Sequence, residues 1–218
     1  MGAKSKPLSA SGPSPAFCRL YLPSPPALND AGGLAAFEAA LDKTLARAID
    51  IACLRLSVAG LDDGAARGLL KRIAAKVQPR GIALLVEDRV ELVGPAGIDG
   101  VHLSQLPPRL EALRQQLGPD RILGVGCALS RHDAMIAGEA EADYVSFAGE
   151  PEILLEGAGW WAALMTVPCV AEGVTDPDQA GALAAAGAEF VMPAAEAWTS
   201  PLPDAVFEAI AQAIRPQP

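Results

Sequence analysis

Asp99-Gly100-Val101-His102-Leu103-Ser104-Gln105 is the stretch of sequence that decides the fold. Its apolar middle predicts a short buried strand, and this strand ends in the polar residues Ser104 and Gln105. An apolar strand with polar residues at its carboxyl end is typical of a (β/α)8 barrel, in which the chemistry lies at that end of the strands. The same pattern recurs in the rest of the chain.

Seven other apolar runs alternate with helical patterns. In chain order the predicted strands are 18–22, 51–56, 82–86, 99–103, 121–125, 143–147, 167–170 and 189–192. After the sixth strand the sequence predicts an irregular segment with a short helix near residues 160–164. Strands that are apolar on both faces and separated by helices indicate a parallel sheet covered by helices.

Eight strand–helix units in about 200 residues predict a single (β/α)8 TIM barrel. The barrel domain is expected over residues 17–218, and residues 1–16, rich in Ser, Pro and Gly, are expected to form a flexible leader. A doubly wound open sheet is the alternative fold. It is less favoured because no G-x-G-x-x-G follows the first strand.

The charge and the apolar content of the chain bear on which partners it can bind. The net charge of −9 disfavours nucleic acid as a partner, because binding to phosphate backbones needs an excess of Lys and Arg. No apolar run approaches the roughly 20 residues that span a bilayer, and the N-terminal segment lacks the apolar core of a signal peptide. We expect a cytoplasmic protein with no membrane partner. Phosphate remains a candidate ligand, since backbone N–H groups bind it without net charge.

Several short motifs carry a family resemblance. Residues 99–105 resemble the D-G-V-H-L-G-Q strand of the thiamine phosphate synthase family and of its relative, the thiazole tautomerase TenI. Residues 87–89 resemble N-D-R, 122–126 resemble I-I-G-V-S, 142–145 match A-D-Y-V and 186–189 resemble A-G-A-D. The chain is identified as a divergent member of this family.

The resemblance implies a function in thiamine biosynthesis. The family's synthases join a pyrimidine diphosphate to a thiazole phosphate, and Mg²⁺ neutralises the diphosphate that leaves. The partner implied is a small phosphorylated heterocycle; the assembly state stays open, with a homodimer as one option. The resemblance and the strand ends together give catalytic candidates Arg55, His102 and Gln105, substrate- or phosphate-binding candidates Arg55, Arg89, Gln105, Gly126, Gly173, Val174 and Ala195, and metal-binding candidates Asp88 and Glu87.

The chain departs from the family pattern at four places. The position of a second magnesium carboxylate is Pro107, the loop 146–152 contains no Lys, a Gly-Gly pair becomes Glu172-Gly173, and a phosphate-binding Ser is replaced by Ala195. Two alternatives to a synthase therefore stay open. One is a metal-independent tautomerase with His102 or His132 as proton shuttle, and the other is a ligand-binding family member without catalysis.

Some candidates also have a purely structural interpretation. Arg55 needs a partner if it is buried, and we expect that partner to be an anionic ligand or Asp88. Asp88 is equally suited to cap the helical piece that follows it, and His102 to hydrogen-bond a neighbouring strand. The four cysteines are expected to be buried core residues, with the role of Cys127 open because it lies just past a strand.

Overall fold

The computed structural model describes residues 18–25, 28 and 30–215; the predicted leader, residues 1–16, lies outside them. Eight parallel strands close into a barrel in sequence order. They are β1 (Arg19–Leu22), β2 (Ile51–Leu56), β3 (Ala83–Glu87), β4 (Gly100–Leu103), β5 (Ile122–Gly126), β6 (Tyr144–Ala148), β7 (Cys169–Val174) and β8 (Phe190–Pro193). The prediction of a single (β/α)8 TIM barrel is confirmed.

Helices cover the outside of the barrel. They are α1 (Ala31–Leu45), α2 (Asp63–Val77), α3 (Val93–Ala96), α4 (Leu110–Leu117), α5 (Arg131–Glu139), α6 (Pro151–Leu164), α7 (Pro177–Ala185) and α8 (Pro203–Ala213). Asp30, Asp62, Ser130 and Asp176 cap α1, α2, α5 and α7 by accepting a backbone N–H three residues further on. None of the described helices has the length and apolar character required to cross a bilayer.

Two predicted elements were wrong in extent. β7 runs from Cys169 to Val174 rather than over 167–170, because its polar residue Glu172 finds a cationic partner inside the barrel. The segment expected to be irregular with a short helix near 160–164 is the single helix α6, which begins at Pro151. Proline suits this first position because the N–H that it lacks would have no partner in the helix.

An aromatic layer fills the interior below the mouth of the barrel. The buried rings of Tyr21, His102 and Tyr144 come from β1, β4 and β6. Tyr144 lies beside Gly124 of β5, where an added Cβ would come 2.0 Å from the tyrosine ring. The missing side chain at Gly124 therefore makes the space that Tyr144 occupies, and this layer forms the floor beneath the mouth.

Candidate functional site

A cavity of about 420 Å³ opens at the carboxyl end of the barrel. Its wall comes from the ends of β2, β3, β6, β7 and β8 and from the segment that follows β1. Four of the predicted site residues line it: Arg55, Glu87, Gly173 and Ala195. The size lies within the range of small-molecule sites, and the location is the end at which TIM barrels place their active sites.

Arg55 is the cationic centre of this cavity. Its Nη1 and Nη2 donate to the two carboxylate oxygens of Glu172 over 2.8 and 3.1 Å, and its Nε lies 3.6 Å from Oε1 of Glu87. Burial works against the charged guanidinium, but the Glu172 carboxylate outweighs it, so that the pKa of Arg55 is raised. Arg55 is therefore a fixed positive charge held between two carboxylates.

Glu172 stays ionised although it is almost buried. Burial alone would raise the pKa of its carboxyl group, but the charge of Arg55 and a hydrogen bond from Ser146 lower it below its ordinary value. The Nε2 atom of His102 lies 3.9 Å from Oε1 of Glu172. The carboxylate is thus held in place by several groups.

The expected pairing of Arg55 with Asp88 is wrong. Asp88 adopts a left-handed backbone conformation with φ of 57°, and its carboxylate accepts the Ser104 backbone N–H over 2.8 Å. It does not cap a helix either, since Arg89 occupies the N-cap position and makes no side-chain capping bond. Asp88 instead ties the end of β3 to the loop that follows β4.

The metal-binding candidates do not form a protein-only magnesium centre. In the described part of the chain, no group of three or more His, Cys, Asp or Glu side chains is placed to hold a metal ion. Asp88 gives one oxygen to the Ser104 amide, and Glu87 faces the guanidinium of Arg55. Mg²⁺ is commonly held by one or two carboxylates together with substrate phosphates. These residues fit the ion only as a companion of a bound phosphate, with Asp88 as its carboxylate.

His102 belongs to the aromatic floor rather than to the wall of the cavity. Its Nδ1 lies 2.9 Å from the hydroxyl of Tyr144, and the hydroxyls of Tyr21 and Tyr144 are 2.7 Å apart. Burial lowers the pKa of His102 to about 3, so the ring is neutral. A catalytic role for His102 stays a prediction; its ring lies beneath the cavity, with Nε2 3.9 Å from the Glu172 carboxylate.

The other predicted binding residues lie at different depths. Gly173, with φ of 82°, is exposed at the cavity, whereas Val174 next to it is buried. Gly126 packs against the backbone after β4, where an added Cβ would come 2.6 Å from the Ser104 oxygen. Gln105 is exposed and is not part of the cavity wall. The roles of these residues in binding stay predictions.

Three further residues lie away from the cavity. The guanidinium of Arg89 bonds Asp63 and Glu91 on the outside of the barrel. His132 is exposed in the first turn of α5. Cys127 is buried, and burial raises the pKa of its thiol to about 12, which keeps it protonated. All four cysteines are buried as expected.

The sequence marked Glu172 as a strand-end residue and a departure from the family pattern, but it predicted no role for this residue in the site. The available signal was its position after the seventh strand, where a glutamate replaces a glycine of the resembling family. The partner could not be recognised in the sequence, since Arg55 and Glu172 are 117 positions apart. Tyr21 and Tyr144 were missed for a similar reason, because an apolar run that contains a tyrosine indicates an ordinary core strand.

Comparison with known proteins identifies the family. Residues 20–195 match the family described as thiamine monophosphate synthase. The thiamine-phosphate synthase of Rhodospirillum centenum is 37% identical over 197 residues, which cover 84% of this chain and 91% of that protein. The corresponding protein of Hyphomonas neptunium is 37% identical over 193 residues, covering 83% and 86% of the two chains.

A solved structure agrees at the level of the fold. The thiamine phosphate pyrophosphorylase from Pyrococcus furiosus superposes with a TM-score of 0.75 over 92% of this chain and 96% of that one, at 17% identity. The family match runs from within β1 to just past β8, and the alignments with the two synthases cover most of the chain. The chain belongs to the thiamine monophosphate synthase family.

Proposed function

We propose that this protein is a thiamine phosphate synthase that binds a pyrimidine diphosphate and a thiazole phosphate at the mouth of its barrel. The family match and the curated synthases at 37% identity support this function. The observation that carries it is Arg55, a buried and permanently charged guanidinium in the wall of a cavity of about 420 Å³. Such a group binds phosphate oxygens through two parallel hydrogen bonds.

In the proposed reaction, negative charge develops on the leaving diphosphate, and positive charge is needed there to stabilise it. The carbon that carries the pyrimidine forms a bond to the thiazole phosphate while its bond to the diphosphate oxygen breaks, and the electron pair of the broken bond leaves on the diphosphate. Arg55 would stabilise that charge, as a preorganised cation does in a largely buried site. Mg²⁺ arriving with the diphosphate would supply additional positive charge, and Asp88 is the carboxylate available to hold it. Gly173, at the exposed end of β7, leaves room for the second phosphate.

The direct test is product formation. Purified protein is incubated with the pyrimidine diphosphate, the thiazole phosphate and excess Mg²⁺, and thiamine phosphate is measured by mass spectrometry. We expect product from the native protein and a loss of about 100-fold or more in Arg55→Gln, which removes a cation facing the leaving diphosphate, and in Asp88→Ala, which removes the carboxylate proposed to hold Mg²⁺. Arg67→Gln, which changes an exposed arginine of α2, is the control and should retain activity. Folded native protein that gives no product would rule out the synthase.

A second candidate function is binding without catalysis. It is favoured by one observation, the complete pairing of the Arg55 fork with Glu172. Under this alternative the thiazole phosphate binds, no product forms, and Asp88→Ala leaves the dissociation constant unchanged. Calorimetric titration beside the activity measurement separates the two functions.

A further inference from the structure

The cavity has more negative than positive charge in its wall. Among the described residues that line it, Arg55 is the only basic one, whereas Glu87, Glu172 and Glu196 are acidic. Both outer nitrogens of the arginine already donate to Glu172. A phosphate that enters this cavity therefore meets a cation whose two terminal nitrogens already hold a carboxylate, and it can bind both of them in parallel only if Glu172 moves away.

The contact between Arg55 and Glu172 has the geometry of a bound ligand. Two parallel N–H···O bonds from one guanidinium to two oxygens are the arrangement by which arginine recognises carboxylates and phosphates. The two residues come from β2 and β7, which are not neighbours in the barrel, so the pair crosses its interior. The side chain of Glu172 retains 14% of its exposure and that of Arg55 11%, which leaves both reachable from the cavity.

The backbone of β7 directs Glu172 toward Arg55. The pairing of β7 with β8 shifts in register between Glu172 and Val174, so that Gly173 is an extra residue without a partner in β8. A bulge of this kind redirects the neighbouring side chain. Gly173 has φ of 82°, and an added Cβ there would meet nothing within 4 Å. There is open space beside Glu172 at the mouth of the barrel.

We propose that Glu172 is a built-in competitor of anionic ligands. Its carboxylate occupies the guanidinium of Arg55 in the empty site, and the phosphate of an entering ligand displaces it. Glu172 thereby sets the affinity of the site for polyanions. The inference rests on the proposed function only in taking Arg55 as the group that contacts phosphate. It requires no catalysis by the protein.

The test is calorimetric titration of the full-length protein with inorganic pyrophosphate, without Mg²⁺. In Glu172→Gln the competing charge is gone, and we expect binding roughly tenfold tighter or more, the scale measured for close charge pairs. The matched control is Glu139→Gln, which removes one negative charge from an exposed position at the carboxyl end of α5, away from the mouth of the barrel. It should bind pyrophosphate within about twofold of the native protein, as expected for a screened surface charge.

Two further measurements test whether Arg55 is the group that binds pyrophosphate. The double variant Arg55→Gln/Glu172→Gln should lose this gain in pyrophosphate affinity, because the guanidinium that would bind pyrophosphate in place of the carboxylate is then missing. Pyrophosphate should also raise the melting temperature of Glu172→Gln more than that of the native protein, because it replaces the missing anion. If Glu172→Gln does not fold, Glu172→Asp retains the charge but shortens the reach, and it should bind pyrophosphate more tightly than the native protein to a smaller degree.

Folded Glu172→Gln that binds pyrophosphate no more tightly than the native protein would overturn the inference. An equal gain in Glu139→Gln would do the same, because overall charge would then explain the effect. These outcomes are independent of thiamine phosphate formation. If the protein makes thiamine phosphate but Glu172→Gln binds pyrophosphate no more tightly, only the role of Glu172 is refuted. If Glu172→Gln binds more tightly but the protein makes no thiamine phosphate, only the synthase function is refuted.

Discussion

His102 shows how one buried residue links the site to the stability of the protein. Its imidazole is 2% exposed and stacks on the Tyr144 ring, with 5.7 Å between the ring centroids. Protonation would bury a second positive charge near Arg55, and desolvation together with that arginine lowers its pKa to about 3. The ring therefore remains neutral in the folded protein at a pH where an unfolded chain has already taken up the proton.

This difference predicts a pH dependence of stability. The pKa of His102 is 6.5 in its ordinary state and about 3 in the fold, so between these values the unfolded chain binds more protons. The free energy of unfolding should therefore decrease as the pH is lowered from about 6.5 toward 3, by up to about 1.4 kcal/mol per pH unit. Urea unfolding at pH 7, 6 and 5 should give a shallower slope in His102→Gln than in the native protein. Tyr21→Phe, which changes the same buried layer but keeps the imidazole, should leave the slope unchanged.

For single residues, the sequence predicted which side chains lie at the site better than it predicted which partners they contact. Strand ends placed Arg55, Glu87 and Gly173 at the mouth, and the structure has them in the cavity wall. The partner of Arg55 could not be predicted, because it depends on which side chains face each other across a closed barrel. The positive φ of Asp88, uncommon for a residue other than glycine, turned its carboxylate to an amide that no local pattern indicates.

Among the elements, β5 and β6 depend on each other through one glycine. Gly124 pairs with Tyr144 in the register of the two strands, and the tyrosine ring covers the glycine Cα. The same ring contacts Tyr21 of β1 edge-on, with 5.8 Å between the ring centroids. The interior layer is therefore built around a small residue on one strand and a large one on the next.

A methyl group at Gly124 should disturb this layer. In Gly124→Ala the Cβ would lie 2.0 Å from Cζ of Tyr144, so the ring must move from its hydrogen-bonded position. We expect a loss of about 1–3 kcal/mol in the free energy of unfolding, measured by urea denaturation. Gly94→Ala in α3, where nothing lies within 4 Å of the added Cβ, is the control and should cost far less. Equal losses in the two variants would contradict this account.

The order of elements was predicted in full, and their extents only in part. Apolar strands separated by helices specify a parallel closed sheet, because both faces must be covered. The end of β7 was missed since Glu172 in isolation indicates a loop, whereas its pairing with Arg55 allows a strand. α6 was underestimated because Gly157 and Gly159 weaken a helical pattern, although packing against Ala186 accommodates Gly159.

For the whole molecule, the barrel is closed by a short seam between β1 and β8. The register joins Arg19 to Phe190 and Leu20 to Val191. Just beyond β8, the buried indole of Trp198 donates to the backbone oxygen of Pro23 over 2.8 Å. Contacts from Trp198 to other aromatic rings reinforce the seam, since its ring meets those of Phe37 in α1 and Phe207 in α8 at centroid distances of 5.0 and 4.7 Å.

Loss of Trp198 should destabilise the protein globally. Trp198→Ala removes the hydrogen bond and the aromatic packing of a buried residue, and we expect a loss of about 3–5 kcal/mol. The control of equal size is Trp160→Ala, which changes a partly exposed ring of α6 that packs under Arg131. It should cost distinctly less. Thermal unfolding followed by circular dichroism distinguishes the two, and similar melting temperatures would show that the seam is not critical.

The seam also determines when the barrel can close during synthesis of the chain. β1 leaves the ribosome before the other seven strands of the barrel, whereas β8, its partner across the seam, leaves after them. Arg19 and Phe190 are separated by about 170 residues, which take roughly 10–35 s to synthesise at ordinary rates of translation. Throughout that interval the edge of β1 presents unpaired N–H and C=O groups, a template for pairing with any other nascent strand. Closely spaced ribosomes on one message would bring such edges together, so slower initiation should raise the soluble yield of this chain.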